Sequence, residues 1–106
     1  MKQIVEFSSD EQTKILNKIL SKDKDKYSLY DIFENLPFDI TYNDKRGYLG
    51  ISQFGIEYTS ISYTNKINVV FAEITNPSNT NIFDCFIKTL QWLNKNEKDI
   101  TINICE

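Results

Sequence analysis

The sequence predicts an α+β fold, in which a mainly antiparallel sheet of about five to six strands packs against two to three helices. Apolar residues recur at helical intervals in three segments, whereas they alternate with polar residues between positions 39 and 74. At 106 residues, 41% of them hydrophobic, the chain is long enough for one hydrophobic core and too short for two. We therefore expect a single globular domain over residues 1–106, with the element order β-α-α-β-β-β-β-α-β.

The beginning of the chain is predicted to supply a strand and a first helix. Residues 2–7 are rich in β-branched and aromatic side chains, which favours a short strand. Ser9 and Gln12 have the spacing of a capping box, so we expect a helix to begin after Ser9 and to continue to about residue 22. The predicted apolar stripe of this helix consists of Ile15, Leu16, Ile19 and Leu20.

A second, shorter helix is predicted after residues 22–26, where lysine and aspartate alternate as they do in solvated loops. Ser28 can cap this helix, and Pro37 ends it after Leu36. The side chains expected to point inward are Leu29, Ile32, Phe33 and Leu36.

The alternating segment between residues 39 and 74 predicts a meander of up to four strands. Turn-forming residues separate the strands at 43–47, near 53–55 and at 64–66. Connections as short as these join antiparallel neighbours.

A longer helix is predicted after the turn at residues 76–80 and should continue to about Asn94 as the main core helix. Its apolar face comprises Ile82, Phe83, Phe86, Ile87, Leu90 and Leu93. Residues 100–105 then alternate as a final strand, in which Ile100, Ile102 and Ile104 point the same way.

The residue inventory argues against an enzyme and against a bound cofactor or metal. The chain has no histidine, which is the commonest general acid-base residue and the commonest metal ligand. Three glycines, at positions 47, 50 and 55, do not form a phosphate-binding loop. The alternative is an enzyme that uses paired carboxylates or Cys85, and no spacing singles out such a pair.

Charge and targeting features favour a cytoplasmic protein that does not bind nucleic acid directly. A net charge of -3 disfavours direct contact with phosphates, and the acidic excess is spread along the chain. The longest apolar stretch, residues 69–72, is far too short to span a membrane, and the N-terminus lacks the apolar segment of a secretory signal. Cys85 and Cys105 are expected to be reduced thiols, with a disulfide between them as the alternative.

Tyrosines interspersed with carboxylates distinguish the predicted sheet. An antiparallel sheet covered on one face leaves the other face partly exposed, and exposed tyrosine supplies stiff contact area for a protein partner. The alternative is that alternation with isoleucine places some of these tyrosines in the core. The candidate partner-binding residues are Asp39, Tyr42, Asp44, Tyr48, Glu57 and Tyr58.

A small, acidic α+β chain with tyrosines and acids in its sheet and no catalytic residue set resembles the immunity proteins of bacterial contact-dependent inhibition and related polymorphic toxin systems. The resemblance implies a monomer, or one partner in a 1:1 complex, that blocks the active site of a cognate toxin, often a nuclease. In that case carboxylates would mimic phosphates, and tyrosines would anchor the contact. Two alternatives remain, a phage-encoded inhibitor of a defence nuclease of the anti-CRISPR kind and a homo-oligomer formed through the first or last strand.

Overall fold

The computed structural model describes residues 6–54, 58–64, 70–77 and 81–104, and it confirms the α+β class. The first residues of the predicted N-terminal strand lie outside this part of the chain, and Phe7 forms only an isolated antiparallel bridge with Ser28. In chain order the elements are α1 (Asp10–Leu20), α2 (Leu29–Asn35), β1 (Asp39–Tyr42), β2 (Lys45–Phe54), β3 (Tyr58–Thr64), β4 (Val70–Pro77), α3 (Ile82–Lys95), a 3₁₀ turn (Glu97–Asp99) and β5 (Ile100–Ile102).

The strands form one antiparallel sheet in the order β4-β3-β2-β1-β5, so the predicted meander is confirmed and the last strand pairs with β1. A two-residue turn connects β1 to β2, because Asn43 and Asp44 both adopt left-handed backbone angles, with φ of 51° and 64°. The turn predicted over residues 43–47 is therefore too long, and residues 45–47 already belong to β2. Similarly, β4 extends to Pro77, where a turn was expected.

The hydrophobic core lies between α3, α1 and the sheet. Asn81 caps α3 by accepting hydrogen bonds from the amides of Phe83 and Asp84. The prediction that α3 is the main core helix is confirmed, because five of its six predicted apolar residues are buried and the sixth, Leu93, is half-buried. The buried five are Ile82, Phe83, Phe86, Ile87 and Leu90.

The predicted capping box of α1 is confirmed, but its predicted apolar stripe is wrong at Ile15, which is exposed. Two polar residues, Gln12 and Thr13, occupy the buried side together with Leu16. The Gln12 side chain donates hydrogen bonds to Asn81 and Asp84 at the start of α3, each at 2.9 Å. This contact sets the rotation of α1 and turns Ile15 outward.

The predicted inward face of α2 is wrong at Phe33, although its start after Ser28 is confirmed. Asp31 and Ile32 are the buried residues within α2, and Leu36 is buried just after its end. Phe33 is about 100° around the helix axis from Ile32, so burying Asp31 on the other side leaves Phe33 in solvent.

The last strand is shorter than predicted, since β5 ends at Ile102, and two of its three predicted isoleucines are exposed. Ile102 and Ile104 are 60% and 86% exposed, and only Ile100 is half-buried. Cys85 is buried, and its thiol donates to the Thr59 carbonyl oxygen at 3.6 Å. Cys105, and with it the question of a disulfide, lies outside the described residues.

Candidate functional site

Of the six candidate partner-binding residues, the four whose side chains the structure describes do not all lie together on one surface. Opposed residues in neighbouring strands share a face and successive residues alternate, so Asp39 and Tyr48 lie on one face while Tyr42 lies on the other. Asp44 is exposed at the far end of β1, in the turn. Glu57 and the side chain of Tyr58 lie outside the description.

Asp39 is buried, with 1% exposure, and its carboxylate pairs with Arg46, the only arginine in the chain. The Arg46 Nε donates to both carboxylate oxygens, at 3.0 and 3.2 Å. Asn103 donates to Oδ1 at 3.0 Å. The hydrogen bonds from Arg46, and then that from Asn103, hold the pKa of Asp39 below its usual value. Asp39 therefore fixes β1 to its neighbours, and the expectation that it offers a carboxylate to a partner is not met.

Tyr48 lies beside Phe38, an exposed aromatic residue that was not among the predicted partner-binding residues. The half-buried ring of Tyr48 is 6.1 Å from the ring of Phe38, and the Arg46 guanidinium lies 5.6 Å from the centroid of the Tyr48 ring. Tyr42 instead packs edge-on against Trp92 of α3, at a centroid distance of 5.2 Å. Of these two tyrosines, Tyr48 supports an exposed ring and Tyr42 packs at the edge of the helix-covered face.

The most exposed large aromatic side chains in the described ranges belong to one short segment. Tyr30, Phe33 and Phe38 are 69%, 59% and 62% exposed. The first two are neighbours on one side of α2, three residues apart, and the third follows just before β1. We call Tyr30 and Phe33 the α2 aromatic surface, since Phe38 instead packs beside Tyr48, on the sheet face opposite Tyr42. Exposed apolar clusters on a soluble domain often mark an interaction site.

The opposite side of α2 is anchored by polar contacts. Ser28 and Asp31 form a capping box, and Lys24 Nζ lies 2.6 Å from the Asp31 carboxylate. Burial raises the pKa of Asp31, but the hydrogen bonds from Lys24 and from the Ser28 amide and hydroxyl outweigh it, so the net shift is downward. Lys22 also donates to the side chain of Asn35, at 2.8 Å. These contacts fix the direction in which the α2 aromatic surface projects.

The loop before α2 makes its own contacts with the core and with α1. Tyr27 is fully buried, with its ring 6.5 Å from that of Phe86, and its hydroxyl donates to the Asn17 side chain at 2.8 Å. Asn17 in turn bonds both the amide and the carbonyl of Lys24. The loop that precedes the α2 aromatic surface is therefore held in place by contacts with the core.

Within the described ranges there is no cluster of three or more histidine, cysteine, aspartate or glutamate side chains that could hold a metal ion. The buried Tyr63 has its pKa raised by burial, and its hydroxyl donates to the carbonyl of Pro37 at 2.8 Å. No helix in the described ranges is both long and apolar enough to cross a bilayer.

No family model, no curated protein sequence and no solved structure matches this chain.

Proposed function

We propose that this chain is an inhibitory binding protein, most specifically an immunity protein that occupies the active site of a cognate toxin domain of the nuclease class. The observation that carries the proposal is the α2 aromatic surface, in which two large rings, one helical turn apart, are presented to solvent. Aromatic side chains bury the largest areas per residue and dominate the energetics of protein interfaces. Their contact area would supply most of the affinity.

The rigid attachment of α2 supports this role. A binding surface that is ordered before association loses less conformational entropy when the partner arrives. The ion pair between Lys24 and Asp31, together with the Ser28 cap, holds the helix while its other side stays exposed. We therefore expect little rearrangement of α2 on binding.

The negative charge near the α2 aromatic surface gives moderate support to a basic partner. Glu34 is exposed on α2 beside Tyr30, and its acceptance of a hydrogen bond from that tyrosine raises the pKa of Tyr30. The chain as a whole carries a net charge of -3. Such a charge steers association with a basic cleft, while aromatic contacts determine how long the complex lasts. With Asp39 neutralised by Arg46, phosphate mimicry would fall to exposed acids such as Glu34 and Asp44.

The experiment that tests this proposal is affinity capture from a lysate of the native host, with mass spectrometry of the proteins retained at moderate salt. We expect one stoichiometric partner that carries a toxin-like domain. Co-expression of this chain should then restore the growth of cells that produce the partner. Recovery of a defence nuclease instead would assign the chain to the phage-encoded inhibitors.

A variant pair identifies the surface that is used. Tyr30→Ala combined with Phe33→Ala should abolish capture, because truncating two interface anchors typically costs about 2 kcal/mol or more at each. Ile15→Ala is the matched control, since Ile15 is an exposed apolar residue on a different helix. Equal capture by the double variant and the control would show that another surface binds, and capture of no specific partner by the wild type would contradict the proposed function.

A further inference from the structure

We propose that two copies of this chain associate through β5, which pairs antiparallel with its own copy about Ile102 and joins the two sheets into one. The inference does not depend on the proposed inhibitory function. In the part of the chain that the structure describes, β5 lies at the end of the sheet, and β1 is its hydrogen-bonded neighbour.

The hydrogen-bond pattern shows which backbone groups of β5 point outward. The Asn103 amide donates to the Asp39 carbonyl at 2.9 Å, so Asp39 and Asn103 form a hydrogen-bonded pair. Hydrogen-bonded and non-hydrogen-bonded pairs alternate along an antiparallel ladder. Ile102, opposite Ile40, is therefore in a non-hydrogen-bonded pair, and its amide and carbonyl point away from β1.

Residues 100–104 are self-complementary about this residue. In an antiparallel pair centred on Ile102, the two copies of Ile102 exchange two backbone hydrogen bonds across the symmetry axis. Extension of the pairing sets Ile104 opposite Ile100, whose amide already donates to Glu97 and whose carbonyl can accept. The sequence of this segment, Ile-Thr-Ile-Asn-Ile, reads as alternating apolar and polar residues in both directions and contains no charge.

The same pairing would cover the most exposed aliphatic side chains of the described residues. Ile102 lies on the same face as Ile40, the face on which Tyr42 meets α3. Across the symmetry axis, Ile102 would meet its own copy, and Ile104 would meet the copy of Ile100. Ile102 and Ile104 are 60% and 86% exposed, so burying them would contribute a favourable hydrophobic free energy to dimerisation.

The strand is already ordered for this contact. The Asn103 side chain donates to Asp39 and to the Thr41 hydroxyl, at 3.0 and 2.9 Å. These bonds lie on the opposite face from Ile102, so they keep β5 in register without occupying its apolar face. An edge strand with fixed register and an apolar side is a template for pairing with another strand.

Sedimentation equilibrium with a reducing agent tests the proposal, since the reducing agent removes any disulfide between copies. The wild-type chain should reach twice its monomer mass of 12.4 kDa as concentration rises. Ile102→Lys should be monomeric, because it sets two like charges directly opposite each other. Thr101→Lys is the matched control, because Thr101 lies on the other face of the same strand, and it should still dimerise.

A backbone variant separates edge pairing from contact between side chains alone. Ile102→Pro removes an outward amide without removing a hydrogen bond to β1, so the monomer should keep the wild-type melting temperature while dimerisation is lost. A wild-type chain that remains monomeric at its highest soluble concentration would overturn the proposal. A dimer that survives both Ile102→Lys and Ile102→Pro would overturn it as well.

Discussion

Helices α2 and α3 are both capped, both carry aromatic residues, and differ in where those residues point. Phe83 and Phe86 of α3 are fully buried, whereas Tyr30 and Phe33 of α2 are among the most exposed large side chains described. The apolar side of α3 packs against the sheet and α1. The buried side of α2 includes Asp31, held by Lys24 and Ser28. Aromatic content alone therefore does not indicate which helix forms the core.

Replacing phenylalanine by alanine should lower the free energy of unfolding far more in α3 than in α2. Phe86→Ala removes a fully buried ring and leaves a cavity, so we expect it to lower the free energy of unfolding by about 3–5 kcal/mol. Urea unfolding followed by circular dichroism measures the change. A loss as small as that of an exposed side chain would show that α3 does not organise the core.

The junction of α1 with α3 should have an intermediate effect. Gln12→Ala removes the buried amide that donates to Asn81 and Asp84, and it leaves these two half-buried side chains without this partner. We expect the free energy of unfolding to fall by about 1–3 kcal/mol. Ile15→Ala, on the exposed side of the same helix, serves as the control in the same unfolding measurement. Equal effects of the two variants would contradict the proposed role of Gln12 in orienting α1.

Acid should weaken the attachment of α2. The pKa of Asp31 is lowered in the folded protein, so this carboxylate stabilises the fold fully above its unfolded value of about 3.9. That contribution is lost as pH falls through 3.9 toward the folded value. Asp39 acts in the same direction in the sheet. The melting temperature of Asp31→Asn should thus depend less on pH below about 5 than that of the wild type. Identical pH profiles would contradict the ionic anchoring.

The smallest effect on stability is expected at the α2 aromatic surface. Phe33→Ala should change the free energy of unfolding by no more than about 0.5 kcal/mol, because the ring is largely in solvent and alanine favours a helix. The same urea titration as for Phe86→Ala gives the comparison. A loss close to that of Phe86→Ala would show that Phe33 belongs to the core.

The elements that could be predicted from the sequence are those fixed by local signals. Ser9 forms the expected capping box, Ser28 caps α2 as expected, and strand alternation located the antiparallel meander. The rotation of α1 and α2 could not be predicted in this way. It depends on buried polar residues, Gln12 and Asp31, whose partners lie in other elements or in the preceding loop. A prediction of helix orientation from the hydrophobic stripe alone assumes that every polar residue is exposed.

The surroundings of the candidate residue Asp39 could not be predicted for the same reason. Asp39 looked like a displayed carboxylate because nothing in its sequence context shows that Arg46 and Asn103 would converge on it. The alternation within β1 did carry one available signal, since it already places Asp39 and Tyr42 on opposite faces. Phe33 was predicted to point into the core and Phe38 was assigned no role, because hydrophobic side chains are expected inside.

The most direct test of the account is the amount of partner captured from host lysate by Phe33→Ala, compared with wild type and with Ile15→Ala. If the α2 aromatic surface anchors the partner, Phe33→Ala should weaken binding by about 2 kcal/mol or more, roughly thirtyfold, while the chain stays folded. Ile15→Ala should capture as much partner as the wild type. Undiminished capture by Phe33→Ala would contradict the central claim that α2 exposes its aromatic side chains in order to bind another protein.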